Sequence, residues 1–129
     1  MATTARVLLV DDEEDMRDAL RDLLADSGFD IVGAASNGQE AVVLTEELQP
    51  DLVLMDLRMP GMDGIEATRE IKERTPEIQV LILSAYDDSE LRFAATDVGV
   101  YCYLVKGSSP SLIIDMLTKA KAYGDGMRV

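Results

Sequence analysis

Five short runs of apolar or β-branched residues recur along the chain, separated by segments with helical periodicity. The runs occupy positions 6–10, 30–35, 52–55, 79–83 and 101–105. Most are too uniformly apolar for a strand with one face in water, a pattern typical of parallel strands covered on both sides. The pattern therefore predicts five buried strands in one sheet.

Helical patterns fill the intervals between these runs. Two helices have the clearest i, i+3, i+4 spacing, with predicted buried stripes of Met16, Ala19, Leu20, Leu23 and Leu24 in the first and Leu112, Ile113, Met116, Leu117 and Ala120 in the last. A helix over 37–48 begins at Asn37, with Glu40 three residues on as in a capping box. A helix over 64–74 ends before Thr75-Pro76.

Capping residues mark the remaining helix starts. Ser89 is the predicted N-cap of a fourth helix, and Ser109 is the predicted N-cap of the last, with Pro110 at its first position. Five strands alternating with five helices predict an α/β, doubly wound fold with right-handed crossovers. The length of 129 residues suits a single domain over 1–129.

Composition excludes several function classes. The chain has no histidine, which removes histidine-dependent hydrolase triads and histidine zinc sites. Cys102 is its one cysteine, so no internal disulfide forms, and together with the absence of a signal peptide this favours the cytoplasm. No apolar run approaches the ~20 residues that span a bilayer. The net charge of −13 argues against direct binding of nucleic acid.

Reactive side chains follow the predicted strands. Asp11 and Asp12 come after the first strand, Asp56 after the third, Ser84 after the fourth and Lys106 after the fifth. Because the carboxyl ends of parallel strands meet at one edge of the sheet, we expect these side chains to converge there.

The charges at this edge predict a divalent cation. Three carboxylates and one ammonium leave −2, which Mg²⁺ would neutralise while accepting phosphate oxygens. A carboxylate beside Mg²⁺ can attack phosphorus and form an aspartyl phosphate. Asp56 is the candidate nucleophile because it stands alone at its strand end, whereas Asp11 and Asp12 form an adjacent pair suited to metal binding.

Four segments together resemble the receiver domain of two-component response regulators. They are VLLVDDE at 7–13, PDLVLMDLRMPGMDG at 50–64, LSA at 83–85 and YLVK at 103–106. The resemblance implies a flavodoxin-like, five-stranded parallel sheet in the order 2-1-3-4-5, flanked by five helices. The segment 58–68 is most similar to the NarL/FixJ (LuxR-type) subfamily, whose receivers usually precede a helix-turn-helix output domain.

The resemblance also implies a role for each matching residue. Asp56 would be the phosphoacceptor, Lys106 the phosphoryl-binding lysine, Ser84 the switch hydroxyl and Tyr103 the switch aromatic. Mg²⁺ would be bound by Asp11, Asp12, Asp56 and the main-chain carbonyl of Arg58. The phosphoryl donor would be a sensor histidine kinase, and the chain would catalyse only its own phosphorylation and dephosphorylation. A homodimer and a C-terminal DNA-binding output domain in a longer protein remain open.

Two positions near the expected site affect its details. Gly107 follows Lys106 where many receivers carry proline, so a cis-proline geometry is not expected there. Tyr86 is large enough to crowd an attacking water and slow autodephosphorylation.

The main alternative function is a receiver-like interaction module that is never phosphorylated. A phosphatase of the haloacid dehalogenase kind fits poorly, because that family places its nucleophile and acid two residues apart.

Overall fold

The computed structural model describes residues 4–127 as a parallel sheet flanked by helices. The strands are β1 (Arg6–Val10), β2 (Asp30–Ala35), β3 (Leu52–Met55), β4 (Gln79–Ser84) and β5 (Cys102–Val105). The helices are α1 (Glu14–Asp26), α2 (Gly38–Leu48), α3 (Gly64–Arg74), α4 (Ser89–Asp97) and α5 (Pro110–Met127). The strand order is β2-β1-β3-β4-β5 and every pairing is parallel. The predicted fold class and strand order are confirmed.

Two apolar layers cover the sheet, one on each face. One layer joins Leu8, Val53 and Ile82 to helices α2, α3 and α4, and the other joins Leu9 and Leu81 to helices α1 and α5. Strands β3 and β4 are buried along their whole length, as their uniform apolarity predicts. The sheet is therefore covered on both faces, and the loops that follow its strands lie along its carboxyl edge.

Three details of the predicted helices need correction. Asp88, not Ser89, caps α4, and its carboxylate accepts the N–H groups of Glu90 and Leu91. Ala19 on α1 and Leu112 on α5 are exposed, so the buried stripes are narrower than predicted. The apolar periodicity includes these two residues because they flank the buried face.

The other predicted helix boundaries are confirmed. Asn37 accepts the Glu40 N–H at the start of α2, α3 spans 64–74, and Ser109 Oγ accepts the Leu112 N–H at the start of α5. Within residues 4–127 there is no cis peptide bond, and Gly107 adopts a φ of 101°, which favours glycine. No helix in this range is long and apolar enough to cross a membrane.

Candidate functional site

Three carboxylates meet at the carboxyl edge of the two central strands. Val10 pairs with Met55 across β1 and β3, so the residues that follow them, Asp11 and Asp56, lie side by side. Asp11, Asp12 and Asp56 each offer an oxygen within 4.8 Å of the others. Asp11 and Asp56 are 3% and 7% exposed, whereas Asp12 is open to solvent. The predicted convergence of these three residues is thus observed.

Lys106 reaches this cluster from the end of β5. Its Nζ lies 3.0 Å from Asp11 Oδ2 and 3.3 Å from Asp56 Oδ2. Its backbone N–H donates to the Ser84 carbonyl at 2.7 Å, which ties the ends of β4 and β5 together. One ammonium therefore bridges two buried carboxylates.

The protonation equilibria indicate a site with excess negative charge. Burial raises the pKa of Asp56, and the charge of Asp11 raises it further, against the lowering effect of Lys106. Burial alone would lower the pKa of Lys106, but its hydrogen bond to Asp11 and the charges of Asp56 and Asp11 raise it above the usual value. Both groups hold their protons more tightly than in water, so the site favours added positive charge.

This charge and the oxygen donors fit a hard divalent cation. Asp11, Asp12 and Asp56 contribute three negative charges and Lys106 returns one, leaving −2. Mg²⁺ binds through one or two carboxylates and keeps several waters, which suits a cluster with one solvent-exposed member. The residues present therefore suit Mg²⁺.

The Asp56 carboxylate is fixed by the backbone around it. Its own N–H donates to the Val10 carbonyl at 2.8 Å, and its Oδ1 accepts the Leu57 N–H at 2.8 Å. The Gly64 N–H donates to the Leu57 carbonyl, which brings the start of α3 close to the site. A Cβ on Gly64 would collide with the backbone carbonyl of Asp56, so the packing requires glycine here.

Ser84 and Tyr103 both contact Tyr86 in the loop that follows β4. Ser84 is fully buried, and its Oγ accepts the Tyr86 N–H at 3.1 Å. The Tyr103 hydroxyl donates to the Tyr86 carbonyl. The loop after β4 is therefore linked both to the serine at its start and to the tyrosine on β5.

Arg58 and Tyr86 stack on each other beside the site. The Arg58 guanidinium lies 4.8 Å from the centre of the Tyr86 ring, a cation–π contact. Tyr86 is 48% exposed, so the pair lies at the solvent boundary. The sequence prediction included the bulk of Tyr86 and the carbonyl of Arg58, but not this stacking between their side chains.

Two further arginines contact the site and were not predicted to do so. Arg92 lies over the Tyr103 ring at 4.8 Å and donates from Nε to Asp87 at 2.7 Å. Arg17 donates from Nη1 to the main-chain carbonyl of Asp11. The i, i+5 spacing of Asp87 and Arg92 is not a helical pairing, and contacts of a side chain with a distant backbone leave no periodic signal in a sequence.

Comparison with known proteins identifies the family. The family model described as the response regulator receiver domain matches residues 7–118. The chain belongs to the receiver domains of two-component response regulators. The chemotaxis protein CheY of Thermotoga maritima is 39% identical over 114 residues, which cover 88% of this chain and 95% of CheY.

Relatives with further sequence and a solved structure are also similar. Response regulator protein VraR of Staphylococcus aureus is 41% identical over 117 residues, covering 90% of this chain but only 56% of VraR. The crystal structure of a LuxR-family two-component response regulator from Aurantimonas sp. SI85-9A1 superposes with a TM-score of 0.89 at 35% identity, covering 93% of this chain and 86% of the other. This receiver chain thus corresponds to nearly all of CheY and to about half of VraR.

Proposed function

We propose that this receiver accepts a phosphoryl group on Asp56 from a sensor histidine kinase and then changes its protein contacts. The observation that carries the proposal is the buried Asp56 carboxylate, bridged by Lys106 to Asp11 and lying within 4.8 Å of both acidic neighbours. In such a transfer, one Asp56 oxygen forms a bond to phosphorus while the bond between phosphorus and the donor breaks.

The chain's own groups are suited to this step. The Leu57 N–H holds Asp56 Oδ1 and so fixes the rotation of the nucleophile. Lys106 would pair with one phosphoryl oxygen and the Ser84 hydroxyl with another. Mg²⁺, held by Asp11, Asp12, Asp56 and the carbonyl of Arg58, would neutralise negative charge on the transferred group.

The proposed switch starts at Ser84. Phosphorylation adds roughly −1.5 to −2 charges and three acceptor oxygens at Asp56. If Ser84 turns towards this group, its bond from the Tyr86 N–H is disturbed. Tyr86 in turn accepts the Tyr103 hydroxyl, so a movement of the loop changes the surroundings of Tyr103. The surface formed by α4, β5 and α5 would then shift between two packed states.

The output of this switch follows by analogy with relatives. VraR carries sequence beyond the matched region, and LuxR-family regulators of solved structure are similar to this chain. We propose transcription control through a DNA-binding output domain in a longer protein, with no metabolite turned over by the receiver itself.

The test is the intact mass of the purified chain after incubation with acetyl phosphate, with and without Mg²⁺. We expect the gain of one phosphoryl group in the wild type with Mg²⁺, and none in Asp56→Asn. Asp115→Asn removes an exposed carboxylate from α5 and is the matched control, which should gain the group normally. No gain in the wild type under either condition would contradict phosphoacceptance and favour a receiver-like interaction module.

A further inference from the structure

Asp11 is fixed at each of its polar groups. Its N–H donates to the Ala35 carbonyl at 3.0 Å, and its side-chain oxygens bind the Glu13 N–H at 2.9 Å and Lys106 at 3.0 Å. Its main-chain carbonyl accepts from the guanidinium of Arg17. Of these four contacts, the one from Arg17 holds the peptide that leads to Asp12.

Arg17 makes this contact from one turn inside α1. The helix begins at Glu14, and the Arg17 side chain reaches back to the loop before it, because long helical side chains point towards the N-terminus of their helix. Arg17 is half-buried and, with Ala35, Ser36 and residues of α1 and α2, lines a crevice of about 210 Å³. Ionised donors form stronger hydrogen bonds than neutral ones, so this is a firm contact.

The contact from Arg17 to the Asp11 carbonyl also restricts the position of Asp12. A peptide bond is planar, so the Asp11 carbonyl and the Asp12 nitrogen and Cα move as one unit. Asp12 is exposed, and its carboxylate depends on this backbone for its position beside Asp11 and Asp56. Without the contact, binding a cation would also require ordering of the 11–12 peptide, which opposes binding.

We propose that Arg17 is a positioning residue that arranges the acidic pair Asp11 and Asp12 for Mg²⁺. The inference rests on the proposed function only in taking Mg²⁺ as the cation of this site. The positive charge of Arg17, taken alone, would weaken Mg²⁺ binding, whereas the proposed positioning role strengthens it.

The sign of the effect separates positioning from simple charge. A guanidinium near a cation site repels Mg²⁺, so removing the charge alone should tighten binding. If Arg17 positions the ligands, its removal weakens binding despite the lost repulsion. Loss of groups that orient metal ligands typically costs about 10- to 100-fold in affinity.

The experiment is a calorimetric titration of the folded full chain with MgCl₂. We expect Arg17→Met to bind Mg²⁺ about tenfold more weakly than the wild type, near the lower end of that range because Asp12 is open to solvent. Arg21→Met is the matched control, because Arg21 lies one turn along α1, is exposed, and faces Asp18 at 3.8 Å. It loses the same charge and should bind Mg²⁺ as tightly as the wild type or slightly more tightly.

A second variant covers the case in which Arg17→Met does not fold. Arg17→Lys keeps the charge but lacks the rigid, forked guanidinium, so any weakening of Mg²⁺ binding in it reflects geometry. We expect severalfold weaker binding. Mg²⁺ affinity equal to or higher than that of the wild type in either folded variant would overturn the proposal.

A kinetic measurement distinguishes positioning from general loss of structure. For Arg17→Met, the rate of phosphorylation by acetyl phosphate should fall at low Mg²⁺ and recover as Mg²⁺ saturates the site. A rate that stays low at saturation indicates a merely structural role and contradicts the inference. A wild type that binds Mg²⁺ but gains no phosphoryl group refutes the proposed function alone, whereas a wild type that binds no Mg²⁺ refutes both.

Discussion

Two partly buried lysines lie at opposite edges of the same sheet and have opposite electrostatic surroundings. Lys106, at the carboxyl edge, contacts the carboxylates of Asp11 and Asp56. Lys72, near the end of α3 at the amino edge, donates to the main-chain carbonyls of Pro76 and Ile78 at 2.6 and 2.9 Å. One ammonium is paired with charges and the other with neutral dipoles.

The difference is visible in their protonation. For both lysines burial lowers the pKa, but at Lys106 the bond to Asp11 and the charges of both aspartates reverse this, whereas at Lys72 the charge of Glu77 only partly offsets it. The pKa of Lys106 is therefore raised and that of Lys72 lowered. Burial alone does not distinguish the two lysines; the carboxylates around Lys106 keep it protonated, as its proposed pairing with a phosphoryl oxygen requires.

The largest expected effect comes from replacing each lysine by methionine. In Lys106→Met we expect phosphorylation by acetyl phosphate to slow about 10²- to 10³-fold, the usual cost of removing one stabilising donor from a reacting oxyanion. In Lys72→Met we expect a near-normal phosphorylation rate, but a free energy of unfolding lower by about 1–2 kcal/mol, because two carbonyls lose a charged donor. Rates come from intact-mass time courses and stability from urea unfolding.

Either of two results would contradict this contrast between the two lysines. A folded Lys72→Met that cannot be phosphorylated would show that the amino edge also serves the chemistry. A Lys106→Met that is phosphorylated at the wild-type rate would make Lys106 a structural ion-pair partner, like Lys119 on α5, which pairs with Asp115.

A smaller effect is expected on the pH dependence of stability. The pKa of Asp56 is raised in the folded chain, so between its unfolded value near 3.8 and the raised value the folded state binds more protons than the unfolded state. The stability that this provides is present at low pH and is lost as the pH rises through the folded pKa. Asp56→Asn cannot ionise and should therefore be more stable than the wild type at pH 7, with a higher Tm.

The measurement is thermal unfolding across pH in the absence of divalent cations. The advantage of Asp56→Asn should shrink as the pH falls through the raised pKa of the Asp56 carboxyl, because the wild-type carboxyl then becomes protonated. Asp115→Asn, whose carboxylate is exposed on α5, should show no such trend. Equal stability of Asp56→Asn and the wild type at every pH would mean that Lys106 fully compensates the buried charge.

The fold was predictable because its signals are local and strong. Every strand lies within one residue of its predicted bounds, since the apolar runs end sharply at Asp11, Asp56 and Lys106. The cap of α4 was misplaced because Asp87, Asp88 and Ser89 are all good capping residues and only the backbone geometry selects Asp88. The sequence pattern thus predicts the presence of a helix more reliably than the residue at which the helix begins.

The site was predictable only where topology alone brings residues together. The carboxyl ends of parallel strands meet, which places Asp11, Asp56 and Lys106 at one edge. The contact from Arg17 to a backbone carbonyl and the stacking of Arg58 on Tyr86 depend on side-chain rotamers and loop paths. Neither contact follows a helical or strand period or a known motif, so the sequence alone could not predict either of them.

The smallest expected effect concerns two exposed tyrosines, one at each edge. Tyr86 stacks under Arg58, two residues beyond the proposed phosphoacceptor Asp56, whereas Tyr123 packs against Tyr101 with ring centres 5.7 Å apart at the amino edge. An exposed cation–π contact contributes about 0.5–1 kcal/mol, so opening the Arg58–Tyr86 pair should change access of water by roughly two- to fivefold. We therefore expect Tyr86→Ala to lose its phosphoryl group about two- to fivefold faster than the wild type, and Tyr123→Ala to lose it at the wild-type rate.

The measurement is the loss of the phosphoryl group, followed by intact mass after acetyl phosphate is removed. An unchanged rate in Tyr86→Ala would mean that water reaches the acyl phosphate by a path the ring does not cover, and an increase in both variants would show that the two edges are linked through the sheet.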